Sequence, residues 1–273
     1  MKNKVKDKID SLPPLPNSIM ELEEFKKVKN SSPDELITII EKDPLLVANI
    51  LKVANSSMFG FRSSVDTLSR AINLLGINFT ISLAIGSIVQ NTVKCNLLAY
   101  GMSTDDFINL SALSTKIINE WVSKIDNDLK DDLLMPAFLQ ETGKFIIASI
   151  IEQENKIDDF RDALNKEKDV STVELNFTGF TTAKITANLF KHWGLTHNII
   201  YPINFVDDIN NATSEYKKKA QILKITKELT NFKDTLGDSS IDAAIKLSKS
   251  YGFDEKLLNS SIQSIKDEIL NNS

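Results

Sequence analysis

The sequence predicts an all-α protein, and three observations carry the prediction. Apolar residues recur three and four positions apart in most segments, which places them on one face of a helix. Many of these segments open on Ser, Thr or Asp, some with proline at the first helical position, and several close on Gly or Asn. No apolar–polar alternation runs long enough for a strand, and nine glycines and seven prolines in 273 residues are few for a chain of tight turns.

The elements follow in order. Met1 to Lys8 is charged with no apolar run behind it, so it is not a secretory signal. Ser11-Leu12-Pro13-Pro14-Leu15-Pro16 has three fixed φ angles and reads as an extended lead-in that lays Leu12 and Leu15 on the core. Ser18 to Val28 carries Ile19, Leu22, Phe25 and Val28 in helical register. Ser32-Pro33-Asp34-Glu35 is a capping box ahead of a short helix. Two punctuated helices then span Asp43 to Gly76. Asp43 caps the first and Pro44 suits its first position; Leu46, Val47, Ile50, Leu51 and Ala54 share its face, and Asn55-Ser56-Ser57 ends it. Asp66 is placed to cap the second, and Gly76 to close it. Between them, Asn55-Ser56 and Phe59-Gly60-Phe61 read as a buried turn or a contact surface; the turn is favoured because polar side chains at a helix end satisfy local backbone groups.

An apolar helix runs from Ile77 to about Val93, and Asn96 to Ser103 connects it to a helix starting at Thr104 and reaching Val122. Ile125 to Asp132 reads as an acidic turn. Leu133 to Ile151 reads as one apolar helix, with Pro136 tolerated in its first turn. Glu152 to Asp169 is an exposed helix striped by Ile157, Phe160 and Leu164. Ser171-Thr172-Val173-Glu174 reads as a second capping box. Thr181 to Trp193 is amphipathic and stops at Gly194, and Ile199 to Val206 is apolar. Asp207 to Ser214 is polar, and three further helices follow around Ala220–Leu229, Ile241–Leu247 and Ile262–Ile269.

The totals exclude several classes. A chain 42% hydrophobic and 25% charged has the profile of a globular protein with a full core. A formal charge of −5 argues against a sequence-independent grip on nucleic acid, which needs a basic face. The lone Cys95 fits a reducing cytoplasm. Ile77 to Val89 is too short and too interrupted by polar residues to insert in a bilayer. The two histidines, His192 and His197, lie five apart across Gly194 and would not share a helix face. No zinc, calcium or phosphate-loop spacing occurs, and no serine elbow. Lys217-Lys218-Lys219 reads as a solvated face. One polar set, Gln140-Glu141-Thr142-Gly143-Lys144, interrupts a strongly apolar segment. Its plain reading is one polar helix face with a glycine for close packing; its functional reading is a mid-helix pocket.

Leu12-Pro13-Pro14-Leu15-Pro16, then Asp43-Pro44-Leu45 with Ile50 to Ser56, then Ala71 to Gly76, resemble in order and spacing the HDOD domain family. These are all-helical relatives of the HD-type metal-dependent phosphohydrolases. The resemblance covers roughly 11–206. It implies an HD-domain-like bundle with an N-terminal helical lobe at about 11–103 and an HD-derived lobe at about 104–206, leaving 207–273 as a C-terminal helical extension. It also implies that Gln140 stands at the metal-binding histidine and Glu141 at the aspartate of the His-Asp dipeptide. Glu174 and Trp193 fit a later acidic residue and tryptophan, while Thr182 falls where a histidine is expected. A hydrolase of this type needs imidazoles and carboxylates around its metals. The implied cleft of Gln140, Glu141, Glu174 and Thr182 is therefore degenerate, with no catalytic residue, metal or other cofactor.

The family implies a non-enzymatic role in bacterial signal transduction, with cyclic di-nucleotide signalling or motility as the expected setting. Such a role expects an unidentified signalling protein as partner. Asp43, Pro44, Asn55, Ser56 and Gly76 are family-motif positions that could also serve a contact. Two alternatives stand beside it. One is a phosphohydrolase with an atypical site reassembled from Glu141, Glu174, His192 and His197. The other is a sensor binding a nucleotide or other small ligand around Gln140, Glu141 and Thr182.

Overall fold

The periodic apolar segments all fold as helices, and no strand occurs among the described residues. The computed structural model describes residues 2–27, 32–56, 59, 61, 63–93 and 95–271. Val28, Ser57 and Gly60, which the sequence places in a helix, a helix end and a loop, lie outside the described residues. In order the helices are α1 (Lys2–Asp10), α2 (Asn17–Lys27), α3 (Pro33–Ile40), α4 (Pro44–Ala54), α5 (Leu68–Leu75), α6 (Ile77–Val93), α7 (Thr104–Ile117) and α8 (Asn127–Leu139). They continue as α9 (Gly143–Gln153), α10 (Ile157–Lys166), α11 (Val170–Thr178), α12 (Thr182–His192), α13 (His197–Asn204), α14 (Ser214–Leu229), α15 (Asp238–Ser250) and α16 (Glu255–Asn271). A 3₁₀ turn at Leu98–Tyr100 interrupts the connection before α7, and α7 runs on into a widened π turn at Ile118–Val122.

Local chemistry sets the helix starts. Asp43 accepts hydrogen bonds from the N–H groups of Leu45 (3.0 Å) and Leu46 (3.3 Å), and Pro44 opens α4. Ser32 accepts from Glu35 N–H (3.3 Å), and Thr181 does the same for Lys184 (3.4 Å) at α12.

Several starts differ from the sequence reading. Thr67, not Asp66, caps α5 by accepting from Arg70 N–H (3.2 Å), because the Asp66 carboxylate is taken by the Ser64 hydroxyl (2.6 Å). The expected turn at Ile125–Asp132 is largely α8, since Asp126 caps Asp128 (2.9 Å) and Leu129 (3.0 Å). The expected Leu133–Ile151 helix is divided at Gln140–Thr142, and Pro136 sits deep in α8 rather than in a first turn. Its missing N–H weakens the ladder just where the helix ends. Asp169 caps α11 through Ser171 N–H (3.0 Å), so Ser171–Glu174 is helix interior and no capping box. The charged N-terminus folds as α1 because Val5 and Ile9, one turn apart, are both buried.

The chain divides into two compact units, each gathered from separate segments. The first comprises 1–14, 90–108 and 139–224. Its centre is α9, buried from Gly143 to Ile151, against which α1, α11 and α12 pack. Edge-to-face aromatic pairs fill the space around it: Phe107 with Phe145 (4.7 Å), Tyr100 with Phe160 (5.2 Å), Phe160 with Phe177 (5.2 Å). Trp193 donates its indole N–H to the Pro13 carbonyl (3.0 Å), which anchors the proline run where it has no donor of its own.

The second unit comprises 15–89, 109–138 and 225–273. Helices α2 to α5 pack on one another there, and Gly86 lies so close to the Phe138 ring that a Cβ would fall 2.2 Å from it. Helix α16 packs on the π turn: Ser261 donates to the Glu120 carbonyl (3.1 Å) and accepts from Lys124 (2.9 Å). Trp121 meets Phe253 edge-on at 5.6 Å, and Lys116 pairs with Glu268 at 2.6 Å. Among the described residues one stretch, Asn127–Gln153, has the length and apolarity of a membrane span, but 94% of its most apolar window is buried within the protein.

Candidate functional site

The cleft residues converge on a buried carboxylate in the first unit. Helix α11 carries Glu174 inward and ends at Gly179, whose φ of +83° is a left-handed position suited to glycine. The chain returns at once into α12, and its first turn meets the Glu174 side chain. Thr182 donates its backbone N–H to Oε2 (2.7 Å) and its hydroxyl to Oε1 (2.7 Å). The backbone donor comes from a helix N-terminus, where free N–H groups and the macrodipole favour an anion. Tyr100 adds its hydroxyl to Oε1 (3.0 Å), and Lys144 its ammonium (3.2 Å). Glu174 is 0% exposed, so all four donors act without competition from solvent.

Lys144 is the second centre. Its stem is buried in α9, and its Nζ reaches Glu141 Oε2 at 2.6 Å as well as Glu174. The Tyr100 ring lies 5.0 Å from the same ammonium and adds a cation–π contact. One cation thus bridges two carboxylates across an aromatic face. Burial, followed by the Glu174 charge, holds the Tyr100 phenol well above its ordinary value, so Tyr100 stays a donor.

Gly143 makes the approach possible. A Cβ there would fall 2.6 Å from the Thr182 carbonyl and 2.9 Å from Thr186 Oγ1. Thr186 in turn accepts from Gly143 N–H (2.8 Å) and donates to the Gln140 carbonyl (3.1 Å), so one hydroxyl stitches the break between α8 and α9 onto α12. The Gln140 side chain is 1% exposed, and both its amide atoms lack a hydrogen-bond partner among the described residues.

The donor set does not fit a metal. Where the resemblance implies imidazoles, the chain has the Gln140 amide, a weak ligand beside an imidazole, and Thr182, whose hydroxyl is committed to Glu174. Glu174 Oε1 already accepts from three groups, and the space between the two carboxylates contains an ammonium. The histidines stay apart from this cluster. His192 Nδ1 lies 3.8 Å from Asp10, and the His197 ring tilts against Tyr201 at 5.1 Å. No three His, Cys, Asp or Glu side chains gather to hold an ion among the described residues.

Gln140, Glu141, Glu174 and Thr182 are thus brought together. Tyr100 and Thr186 belong to the same network and carry no motif of their own. The remaining motif residues lie in the second unit. Asn55 bridges α4 to the segment before α5: Nδ2 donates to the carbonyls of Leu51 (2.8 Å) and Val65 (2.9 Å), and Oδ1 accepts from Val65 N–H (2.8 Å). Gly76 closes α5 with a φ of +85° and donates its N–H to Ile72 (2.8 Å). The Ser56 hydroxyl is buried without a partner among the described residues.

Comparison with known proteins was made against this geometry. The family model of the HDOD domain matches residues 12–209. An uncharacterised protein of Treponema pallidum is 24% identical over 220 residues, 78% of this chain, and the chain spans 41% of that relative's length. The crystal structure of a virulence factor from Campylobacter jejuni subsp. jejuni is 27% identical, with 98% of this chain and 100% of that one covered and a TM-score of 0.58. An HDOD domain protein from Geobacter sulfurreducens superposes with a TM-score of 0.66 at 17% identity, over 98% of this chain and 95% of that one, which is a likeness of fold.

Proposed function

The chain belongs to the HDOD domain family, and from that membership we propose that it is a non-catalytic regulatory module of bacterial signal transduction, acting in the cytoplasm by binding a protein partner. The observation that carries the proposal is the Lys144 ammonium, seated between Glu141 and Glu174. A phosphohydrolase of this lineage needs open ligand positions for a cation that activates water and steadies phosphate oxygens. Here the positive charge is part of the chain, and the Glu174 lone pairs are committed to protein donors. The scaffold keeps its packing and loses the electrophile. Fold alone does not carry the activity of a relative.

The test is an assay of the untagged chain with Mn²⁺, Mg²⁺ or Fe²⁺ on p-nitrophenyl phosphate and on cyclic di-nucleotides. The expected result is no turnover above that of Glu141→Ala. Metal-dependent turnover that Glu141→Ala abolishes would overturn the proposal.

One observation favours a second reading, a small-ligand sensor: the buried Gln140 amide has donor and acceptor capacity with no protein group to meet it. A nucleotide that raises the melting temperature of the wild type and not of Gln140→Leu supports it, because a ligand bound only to the folded state stabilises that state. Equal shifts in both proteins count against it.

A further inference from the structure

The second unit contains a concave pocket that touches the family motif only at Ser56. Its volume is about 440 Å³, within the range of small-molecule sites. One wall is α7, through Leu110 and Leu113; the other is α16, through Lys266, Ile269 and Leu270; Leu236 closes the side between them. We propose that this pocket binds a small amphipathic anion, an alkyl or aryl carboxylate whose apolar body lies on the leucine wall and whose head group meets Lys266.

The chemistry of the lining points to that class. Lys266, Ile269 and Leu270 stand three and four residues apart, so α16 presents one cation and two apolar side chains on a single face. The acidic neighbours of Lys266 are occupied elsewhere. Glu268 pairs with Lys116 (2.6 Å), and Asp267 accepts from Gln263 (2.7 Å). Among the described residues Lys266 has no ion-pair partner and no carboxylate lines the pocket. A cationic ligand would find no counter-charge there. A polyphosphate would find one cation and an apolar floor. A single anionic head on an apolar body satisfies both halves of the lining.

Two further features fit a built site. Ser56 lines the pocket, and its buried hydroxyl has no partner among the described residues, which leaves hydrogen-bonding capacity beside the site. Leu236 has a φ of +50°, a left-handed conformation that a leucine adopts rarely and at a cost. It is held there by its N–H, which donates to the Leu229 carbonyl (3.0 Å), and that conformation places its side chain in the pocket wall. At the mouth Leu270 is 72% exposed, an apolar side chain that an alkyl body would cover.

The site lies outside the Gln140–Glu174 cleft, so the inference stands or falls apart from the proposed function. The probe is decanoate below its micellar concentration, titrated calorimetrically into the full chain, with decanol as the uncharged isostere. The expected result is saturable one-site binding and a raised melting temperature, with Kd weakened about tenfold in Lys266→Gln, which removes a half-exposed charge without touching the core. Decanol should bind wild type and Lys266→Gln alike. A second variant, Leu270→Glu, changes an exposed position and should abolish decanoate binding while the fold persists by circular dichroism. Absence of saturable binding for every alkyl carboxylate from hexanoate to tetradecanoate would overturn the proposal. So would equal decanoate affinity in wild type and Lys266→Gln, or a lowered melting temperature, which marks binding to the unfolded chain.

Discussion

Replacing Lys144 with methionine is the sharpest probe of the buried network. The change keeps an unbranched apolar stem and deletes the ammonium. Glu174, fully buried, would keep Thr182 and Tyr100 as donors and lose the Lys144 counter-charge; Glu141 would lose its bridge to Glu174. Removing one partner of a buried ion pair costs about 3–5 kcal/mol, because the remaining charge stays desolvated. Three neutral donors remain on Glu174, so the lower part of that range, about 3 kcal/mol, is expected. For a unit of this size that is a fall in Tm of roughly 9–18 °C.

The assay is urea and thermal unfolding at neutral pH, followed by circular dichroism. The double variant Lys144→Met/Glu174→Gln removes both charges, and neutral replacement of a buried pair is far less damaging than breaking it. The cycle should therefore show a coupling energy of about 1–3 kcal/mol, with the double variant more stable than additivity allows. A chelator should leave the wild-type Tm unchanged, since the internal cation is covalent. A Lys144→Met protein within about 0.5 kcal/mol of wild type, the range of ordinary surface substitutions, would refute the assignment of Lys144 as counter-ion.

Three other outcomes are expected. Because burial and Glu174 raise the Tyr100 phenol, the folded state holds that proton where the unfolded chain, near 10, gives it up; stability should therefore fall with rising pH above about pH 10, by up to about 1.4 kcal/mol per pH unit, and Tyr100→Phe should remove that slope in alkaline unfolding curves. Asn55→Ala deletes two hydrogen bonds to the Val65 backbone and one to the Leu51 carbonyl and should cost about 1–3 kcal/mol in urea unfolding; a variant of unchanged stability that loses a partner would assign Asn55 to a contact surface instead. Gly143→Ala should destabilise by about 1–3 kcal/mol although alanine favours helix, since the backbone carbonyl of Thr182 cannot yield to a methyl group 2.6 Å away; a gain in Tm would show that α9 and α12 can separate at no cost.

Which features were legible in the sequence depends on how far apart the interacting groups lie along the chain. Asp43 and Ser32 could be assigned as caps because a cap acts within three residues, and the structure repeats those contacts. Where two candidates stood side by side, as with Asp66 and Thr67, only a third group, the Ser64 hydroxyl, decided between them. The break between α8 and α9 falls within the polar set at Gln140–Thr142, which reads equally as one polar face of a continuous helix, because the apolar residues on either side mark burial but not where a helix ends. The Glu174 network was less legible still. Its partners lie 8, 30 and 74 residues away, and Tyr100 sits in a short turn with no periodicity. Read locally, Glu174 looked like the end of a capping box; that role fell to Asp169, which freed the carboxylate to turn inward. A buried carboxylate cannot be left bare, so once four protein donors close around Glu174 they become part of what holds α9, α11 and α12 together. Losing Glu174 or Lys144 would therefore loosen the packing of these three helices.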